Sequence, residues 1–178
     1  PMIVNYACKS KELWKVPCPI LVRGIGMEGG IGPVAGSSHH SLYFRMPGIK
    51  IASPMTPKEY ISVYSQFMKD DDVYYISEHR KSYDNTLELK DSLNYKKFDL
   101  IIFAISITRF ESFKAKKILE KKGIKVGIIN IVWLKPFKIK KKWLNALKKS
   151  RFGGIVIDDD YVNGVSKSFA NDLNLKSK

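Results

Sequence analysis

The 178-residue chain predicts an α/β fold with a mainly parallel sheet. Short β-rich apolar runs, such as Ile20-Leu21-Val22 and Leu100-Ile101-Ile102-Phe103-Ala104-Ile105, alternate with segments whose apolar residues recur at helical spacing. The second run is apolar throughout, as in parallel strands covered on both faces. From residue 99 onward the order is strand, helix, strand, helix, strand, and crossovers of that kind are right-handed and parallel.

Two blocks follow, over residues 1–97 and 98–178, with a polar join at 82–97 that holds few large apolar side chains. The first block reads as a helix over 3–14, a buried strand over 17–23 and a glycine-rich loop over 24–36. A strand over 49–53, a helix over 58–69 and a strand over 73–77 come next. Tyr60, Ile61, Tyr64, Phe67 and Met68 give that helix an apolar face. Thr56 is its expected cap, and Pro57 suits a first turn whose amides have no intrahelical acceptor. In the second block the strand over 99–105 leads to Thr108, the expected cap of a helix with Phe110, Phe113, Ile118 and Leu119 on one side. Gly123 ends it. A strand over 125–131, a Lys-rich helix near 139–149, a strand over 154–157 and a helix over about 162–173 complete the block.

The most specific stretch is Met46-Pro47-Gly48-Ile49-Lys50-Ile51-Ala52-Ser53-Pro54-Met55-Thr56-Pro57-Lys58-Glu59-Tyr60, followed after the helix by Lys69-Asp70-Asp71-Asp72-Val73-Tyr74-Tyr75-Ile76-Ser77-Glu78-His79. This order of turn, strand, Pro-x-Thr-Pro, helix, acidic turn and strand resembles the pyrimidine-binding domain of thiamine-diphosphate enzymes. It is most similar to the beta subunit of the 2-oxo acid dehydrogenase decarboxylase component, which reads PGLKVVAPSTP and then RDDNPVIFxEHKxLY. The second block resembles the transketolase C-terminal domain. Asn130-Ile131-Val132-Trp133-Leu134-Lys135-Pro136 stands against the family's DLRTLxP, with Val132 at its arginine, and Ile105 stands where glycine is usual. The resemblance implies the second half of a transketolase-like pyrimidine-binding domain, then a transketolase C-terminal-like domain, in a chain shortened at both ends.

The same resemblance implies thiamine diphosphate as cofactor, shared with an alpha subunit that carries the magnesium on a GDG motif. It implies oxidative decarboxylation of a 2-oxo acid with acyl transfer to lipoyl. The implied assembly is a heterotetramer of two alpha and two beta subunits, working with a lipoyl-bearing acyltransferase core. The glutamate that meets the aminopyrimidine ring lies in the family upstream of the segment where this chain starts, so the chain alone is not expected to be a complete enzyme. A transketolase or deoxyxylulose-phosphate synthase relative shares the fold, and so would a non-catalytic interaction protein.

The family histidine of the Gly-Pro-Gln-His-Ser-Gln loop falls on Ala35 when aligned back from Pro47-Gly48. Either the loop is re-threaded so that His40, ahead of His39, does the acid–base work, or the role is absent. For Asp70-Asp71-Asp72 a solvated turn stands beside the family reading. The latter is a structural potassium held by the Phe67 and Met68 carbonyls with oxygens from Asp70 and Asp72. Gly24-Ile25-Gly26-Met27-Glu28-Gly29 is a literal GxGxxG, but Gly30-Ile31-Gly32-Pro33 does not open the helix that a dinucleotide site requires. Glu78-His79-Arg80-Lys81-Ser82-Tyr83 reads as structural and interfacial, and Asp158-Asp159-Asp160 as the polar end of a strand.

Charge is uneven. Residues 90–151 hold 18 Lys and Arg against Asp91, Asp99, Glu111 and Glu120, a net of +14, while the remainder balances at 13 and 13. Lys114, Lys117 and Lys121 sit at the polar positions of a helix, and no aromatic ladder accompanies them, so nucleic acid is not the expected partner. Cys8 and Cys18 lack CxxC spacing, which fits a reducing cytoplasm. No apolar run is long enough for a membrane span.

Overall fold

A computed structural model describes residues 2–27 and 38–177. The elements in chain order are α1 (Cys8–Leu13), β1 (Leu21–Gly26), α2 (His40–Phe44), β2 (Ile49–Ala52), α3 (Pro57–Phe67), β3 (Val73–His79), β4 (Leu100–Ile105), α4 (Thr108–Lys121), β5 (Val126–Ile131), β6 (Trp133–Lys135), α5 (Lys141–Lys148), β7 (Gly154–Ile157) and α6 (Val165–Ser177). A π-helical turn, Ile3–Ala7, leads into α1. The chain divides into two compact units, Pro1–Glu88 with Val132–Phe137, and Leu89–Ile131 with Lys138–Lys178. The first boundary falls ahead of residue 97 because Asp91 and Ser92 bond to Asn130 and Ile128, and residues 132–137 belong to the first unit through a short strand paired with β2.

The first unit holds a four-stranded sheet in the order β1-β3-β2-β6. β1 and β2 both run parallel to β3, and β6 closes the β2 edge antiparallel. Ala52, Val63, Tyr74 and Ile76 form a buried cluster, with Leu21, Phe67, Val132 and Trp133 packed on it. Tyr74 meets Phe67 edge-on at 5.3 Å and Trp133 at 6.1 Å between ring centroids. Each fully buried side chain of this size contributes about 1.5–3 kcal/mol. The Pro-Gly turn into β2 needs its glycine twice over. Gly48 has φ +70°, and a Cβ there would stand 1.8 Å from the Cys8 carbonyl oxygen.

The second unit is a parallel three-stranded sheet in the order β5-β4-β7. Ile102, Ala104, Val126 and Ile128 are buried at its centre. Of the expected apolar stripe of α4, Phe113 and Leu119 pack on this cluster, whereas Ile118 is exposed and Arg109, Ser112 and Lys116 are buried instead. Long basic side chains pass their aliphatic stems through apolar surroundings while the head finds a polar partner. The Lys116 ammonium does so, donating to the Val126 carbonyl and pairing with Glu120 at 2.9 Å.

Both expected threonine caps act differently. Thr56 is the N-cap residue of α3, but its hydroxyl donates to Glu88 Oε2 at 2.7 Å, and Glu88 Oε1 accepts from the Lys58 amide at 2.9 Å. A carboxylate some thirty positions away thus caps the helix. Thr108 lies inside α4 and donates to the Ile105 and Ile157 carbonyls. β1 runs on through Gly26, so the first two glycines of the GxGxxG string are strand residues.

Candidate functional site

Parallel strands place ligand contacts beyond their carboxyl ends. In the first unit this edge is formed by β1 and β3, where Gly24 stands beside Ser77 and Gly26 beside His79. Tyr75 explains Gly24: a Cβ there would fall 1.9 Å from the Tyr75 hydroxyl, and the same ring stacks on Tyr43 of α2 at 4.5 Å. Gly26 lets the backbone approach Ser38 Oγ and the His79 ring, at 3.2 and 3.4 Å from the Cβ position. Packing, not phosphate binding, therefore accounts for both glycines. Gly29 and Ala35 lie outside the described residues.

His40 opens α2 and is fully buried, with Nδ1 3.0 Å from Ser77 Oγ. His39 precedes it and is half-buried. The histidine expected to lead the acid–base work is thus the less accessible of the two. Sequence reasoning missed His79, which is also buried at this edge. Its Nδ1 accepts from the Lys81 amide at 3.3 Å, which places the proton of the neutral ring on Nε2.

Beside this edge Glu78 is fully buried. It accepts from Arg23 Nε at 2.9 Å and Nη2 at 2.7 Å, from the Tyr64 hydroxyl at 2.7 Å and from the Tyr83 hydroxyl at 2.6 Å. Burial pushes the Glu78 carboxyl up, but the Arg23, Tyr83 and Tyr64 donors outweigh it and hold the group below the ordinary carboxylate range. The same burial and carboxylate push the Tyr64 hydroxyl up to about 12. A concavity of about 430 Å³ lies over this cluster, with Pro57 and Tyr60 also in its wall.

The acidic turn after α3 is engaged with ammonium groups. Lys50 pairs with Asp70 and, at 2.8 Å, with Asp72, and Lys11 meets Asp72 at 3.0 Å. Tyr74 donates to Asp70 at 2.6 Å, and the Asp70 amide donates to the Phe67 carbonyl at 3.0 Å. The Lys50 and Tyr74 donors hold the Asp70 carboxyl down at about 2. The expected potassium donors Asp70 and Asp72 are therefore already paired with the Lys50 and Lys11 ammonium groups. Both carboxylates would have to exchange an ammonium partner to serve a metal ion. Among the described residues no group of three His, Cys, Asp or Glu is arranged to hold one.

In the second unit the Asp158 and Asp160 carboxylates accept from the next amide in the chain, at Asp159 and Tyr161, as a polar strand end does. Arg109 is fully buried and donates to Asn130 Oδ1 at 3.0 Å. Sequence reasoning missed it, because an arginine one residue after the expected cap reads as solvent-facing. Asp91, at the start of this unit, accepts from the Asn130 amide and Trp143 Nε1 and pairs with Lys142.

A thiamine diphosphate site does not fit within these residues. Glu78 is the only carboxylate described at the β1–β3 edge, and Arg23 and two tyrosines saturate it. The chain carries no Gly-Asp-Gly string for a diphosphate-bound metal. At that edge Gly26, Ser38 and His79 pack on one another and are buried.

Comparison with known proteins agrees with this geometry. Residues 92–176 match the family Transketolase, C-terminal domain. The pyruvate dehydrogenase E1 component subunit beta of Mesostigma viride is 28% identical over 135 residues, covering 68% of this chain and 40% of that protein. The mitochondrial subunit beta of Pisum sativum is 26% identical over 151 residues, covering 75% and 42%. The chain thus spans about two fifths of the length of these curated relatives. A split-gene transketolase, solved as an inactive beta4 tetramer, superposes with a TM-score of 0.74 at 16% identity, covering 99% of this chain and 58% of that one. Residues 92–176 thus match the transketolase C-terminal domain, and the chain is similar over most of its length to beta subunits of pyruvate dehydrogenase E1.

Proposed function

We propose that the chain serves as a beta-type portion of a thiamine-diphosphate-dependent 2-oxo acid dehydrogenase. It would supply an active-site wall and subunit contacts, while an alpha-type partner supplies the diphosphate and magnesium site. The carrying observation is the β2–α3–β3 unit, with its Pro-x-Thr-Pro entry and acidic exit, in the same chain as a match to the transketolase C-terminal domain. Oxidative decarboxylation with acyl transfer to lipoyl, and an alpha2beta2 assembly docked on an acyltransferase core, belong to this proposal. When bound, the cofactor supplies the carbanion chemistry. The residues here orient and exclude water. Within this reading His40 is a positioning residue that fixes α2 against Ser77, and the buried Ser38 and His79 support the same edge behind Gly26.

The proposal predicts that the full chain alone does not bind thiamine diphosphate in calorimetric titration with magnesium present. Micromolar binding by this chain would sink it. A second reading, half of a split transketolase, is favoured by the solved neighbour's coverage of this chain. Ketol transfer between sugar phosphates after reconstitution, with no 2-oxo acid decarboxylation, would select it. That neighbour is described as an inactive beta4 tetramer, so either reading expects self-association of the isolated chain in sedimentation.

For His40 the expected result concerns the fold as much as the rate. His40→Ala leaves Ser77 Oγ buried without its ring partner, at a cost of about 1–3 kcal/mol. His40→Asn, whose amide nitrogen overlies Nδ1, should recover part of it. Urea unfolding checks both. Wild-type stability for His40→Ala, with turnover reduced by about 10²-fold in the reconstituted enzyme, would instead give the ring a direct acid–base role.

A further inference from the structure

We propose that the amino-terminal edge of the second unit's sheet binds a compact polyphosphate. Three loops meet there, around residues 97–99, 123–125 and 148–151, and border an open concavity of about 730 Å³. Lys97, Lys125, Lys148, Lys149 and Arg151 line it. All five are exposed, and none takes part in an ion pair among the described residues. The sole carboxylate in the lining, Asp99, accepts from the Lys125 amide at 2.8 Å. Arg151 lies over the Phe152 ring at 4.8 Å, which leaves the edge of its guanidinium open to an anion.

The concavity is preformed. The Phe98 amide donates to the Lys149 carbonyl at 3.3 Å, and the Arg151 amide to the Phe98 carbonyl at 2.9 Å. Ser150 Oγ donates to the Asp99 carbonyl at 3.0 Å. Space above Gly123 is open, with no atom within 4 Å of its Cβ position. Gathering five like charges in one basin is unfavourable in the free protein. The last carbonyls of α4 and α5, which end here, offset part of that repulsion. A ligand with several negative charges in a small volume removes the remainder.

Shape selects among anions. The volume is that of a small-molecule pocket, in the range of about 300–1,000 Å³. A duplex needs basic groups spread along a track, and single strands need a row of stacking rings. Phe98, the aromatic residue of this lining, is buried. This edge is opposite the carboxyl ends of the strands, where a parallel sheet holds its catalytic ligands. The site is therefore independent of the proposed reaction.

Calorimetry of the full chain with inorganic tripolyphosphate in low-salt buffer tests it. The expected result is saturable one-to-one binding, with monophosphate at least about tenfold weaker and affinity falling steeply with added salt. Lys125→Glu with Lys149→Glu should weaken tripolyphosphate by about tenfold or more, and Lys117→Glu, exposed on α4 outside the concavity, by less than about twofold. Circular dichroism checks that each variant is folded. No saturation at millimolar tripolyphosphate overturns the proposal, and so does an equal loss in Lys117→Glu, the mark of a diffuse field. A short DNA duplex that binds more tightly than tripolyphosphate and is lost with the same double variant would replace it with a nucleic-acid surface.

Discussion

Glu78→Gln should lower the stability of the first unit by about 2–3 kcal/mol, and more steeply at neutral than at acid pH. The carboxylate has no solvent contact and holds four donors from three residues on β1, α3 and the turn after β3. Removing its charge strands Tyr64 and Tyr83 and unpairs Arg23. The Arg23 side chain is half-exposed and recovers water, which keeps the loss below the range of about 3–5 kcal/mol typical of a broken buried pair. Because the folded carboxyl lies below its ordinary value of 4.5, its contribution is fully present above that value and is lost as pH falls through the folded one. The difference between wild type and variant should therefore close on acidification. Amide exchange along β1 and β3 measures it residue by residue. Equal protection in the two proteins at pH 7 would show that the network adds nothing to stability.

The strand–helix–strand at the head of the first unit was readable because its punctuation is chemical. Gly48 must take a positive φ, Pro57 suits only a first turn, and Val73 begins an uninterrupted apolar run. The parallel direction of β4, β5 and β7 was legible in the alternation of strands and helices. What stayed hidden depends on partners distant in sequence. Glu88 replaces the Thr56 hydroxyl as cap from thirty positions away, and Glu78 gathers donors from Arg23 to Tyr83. Arg109 and Lys116 occupy the buried face of α4 because a stem can be buried when its head finds a carbonyl or an amide. Binary patterning scores both as surface. The histidine pair was visible as chemistry, but only the pairing of His40 with Ser77 reveals which ring is inside.

β6 is the element with the largest consequence that the sequence hid. Three residues, Trp133-Leu134-Lys135, between a strand end and a proline carry no alternation to speak of; they become a strand by pairing with β2. Leu134 is fully buried, the Ser53 amide donates to the Val132 carbonyl at 2.7 Å, and Lys135 donates to the Phe44 carbonyl at 3.0 Å. Residues 1–97 expressed alone lose all of this. About 1.5–3 kcal/mol of Leu134 burial goes, together with the Trp133 contact on Tyr74. The β2 edge then joins β1 as an unpaired template for association. That piece should aggregate. Residues 98–178 should also fold poorly, for a separate reason. They lack Asp91, which accepts from the Asn130 amide at 3.0 Å and from Trp143 at 3.2 Å, and Ser92, which bridges to Ile128. Moving the cut to give residues 89–178 should restore amide protection along β4 and β5. Sedimentation and exchange on the three pieces decide the matter. A monomeric, protected 1–97 piece would mean that β6 is dispensable, and equal protection in 98–178 and 89–178 would mean that Asp91 only decorates a sheet already complete.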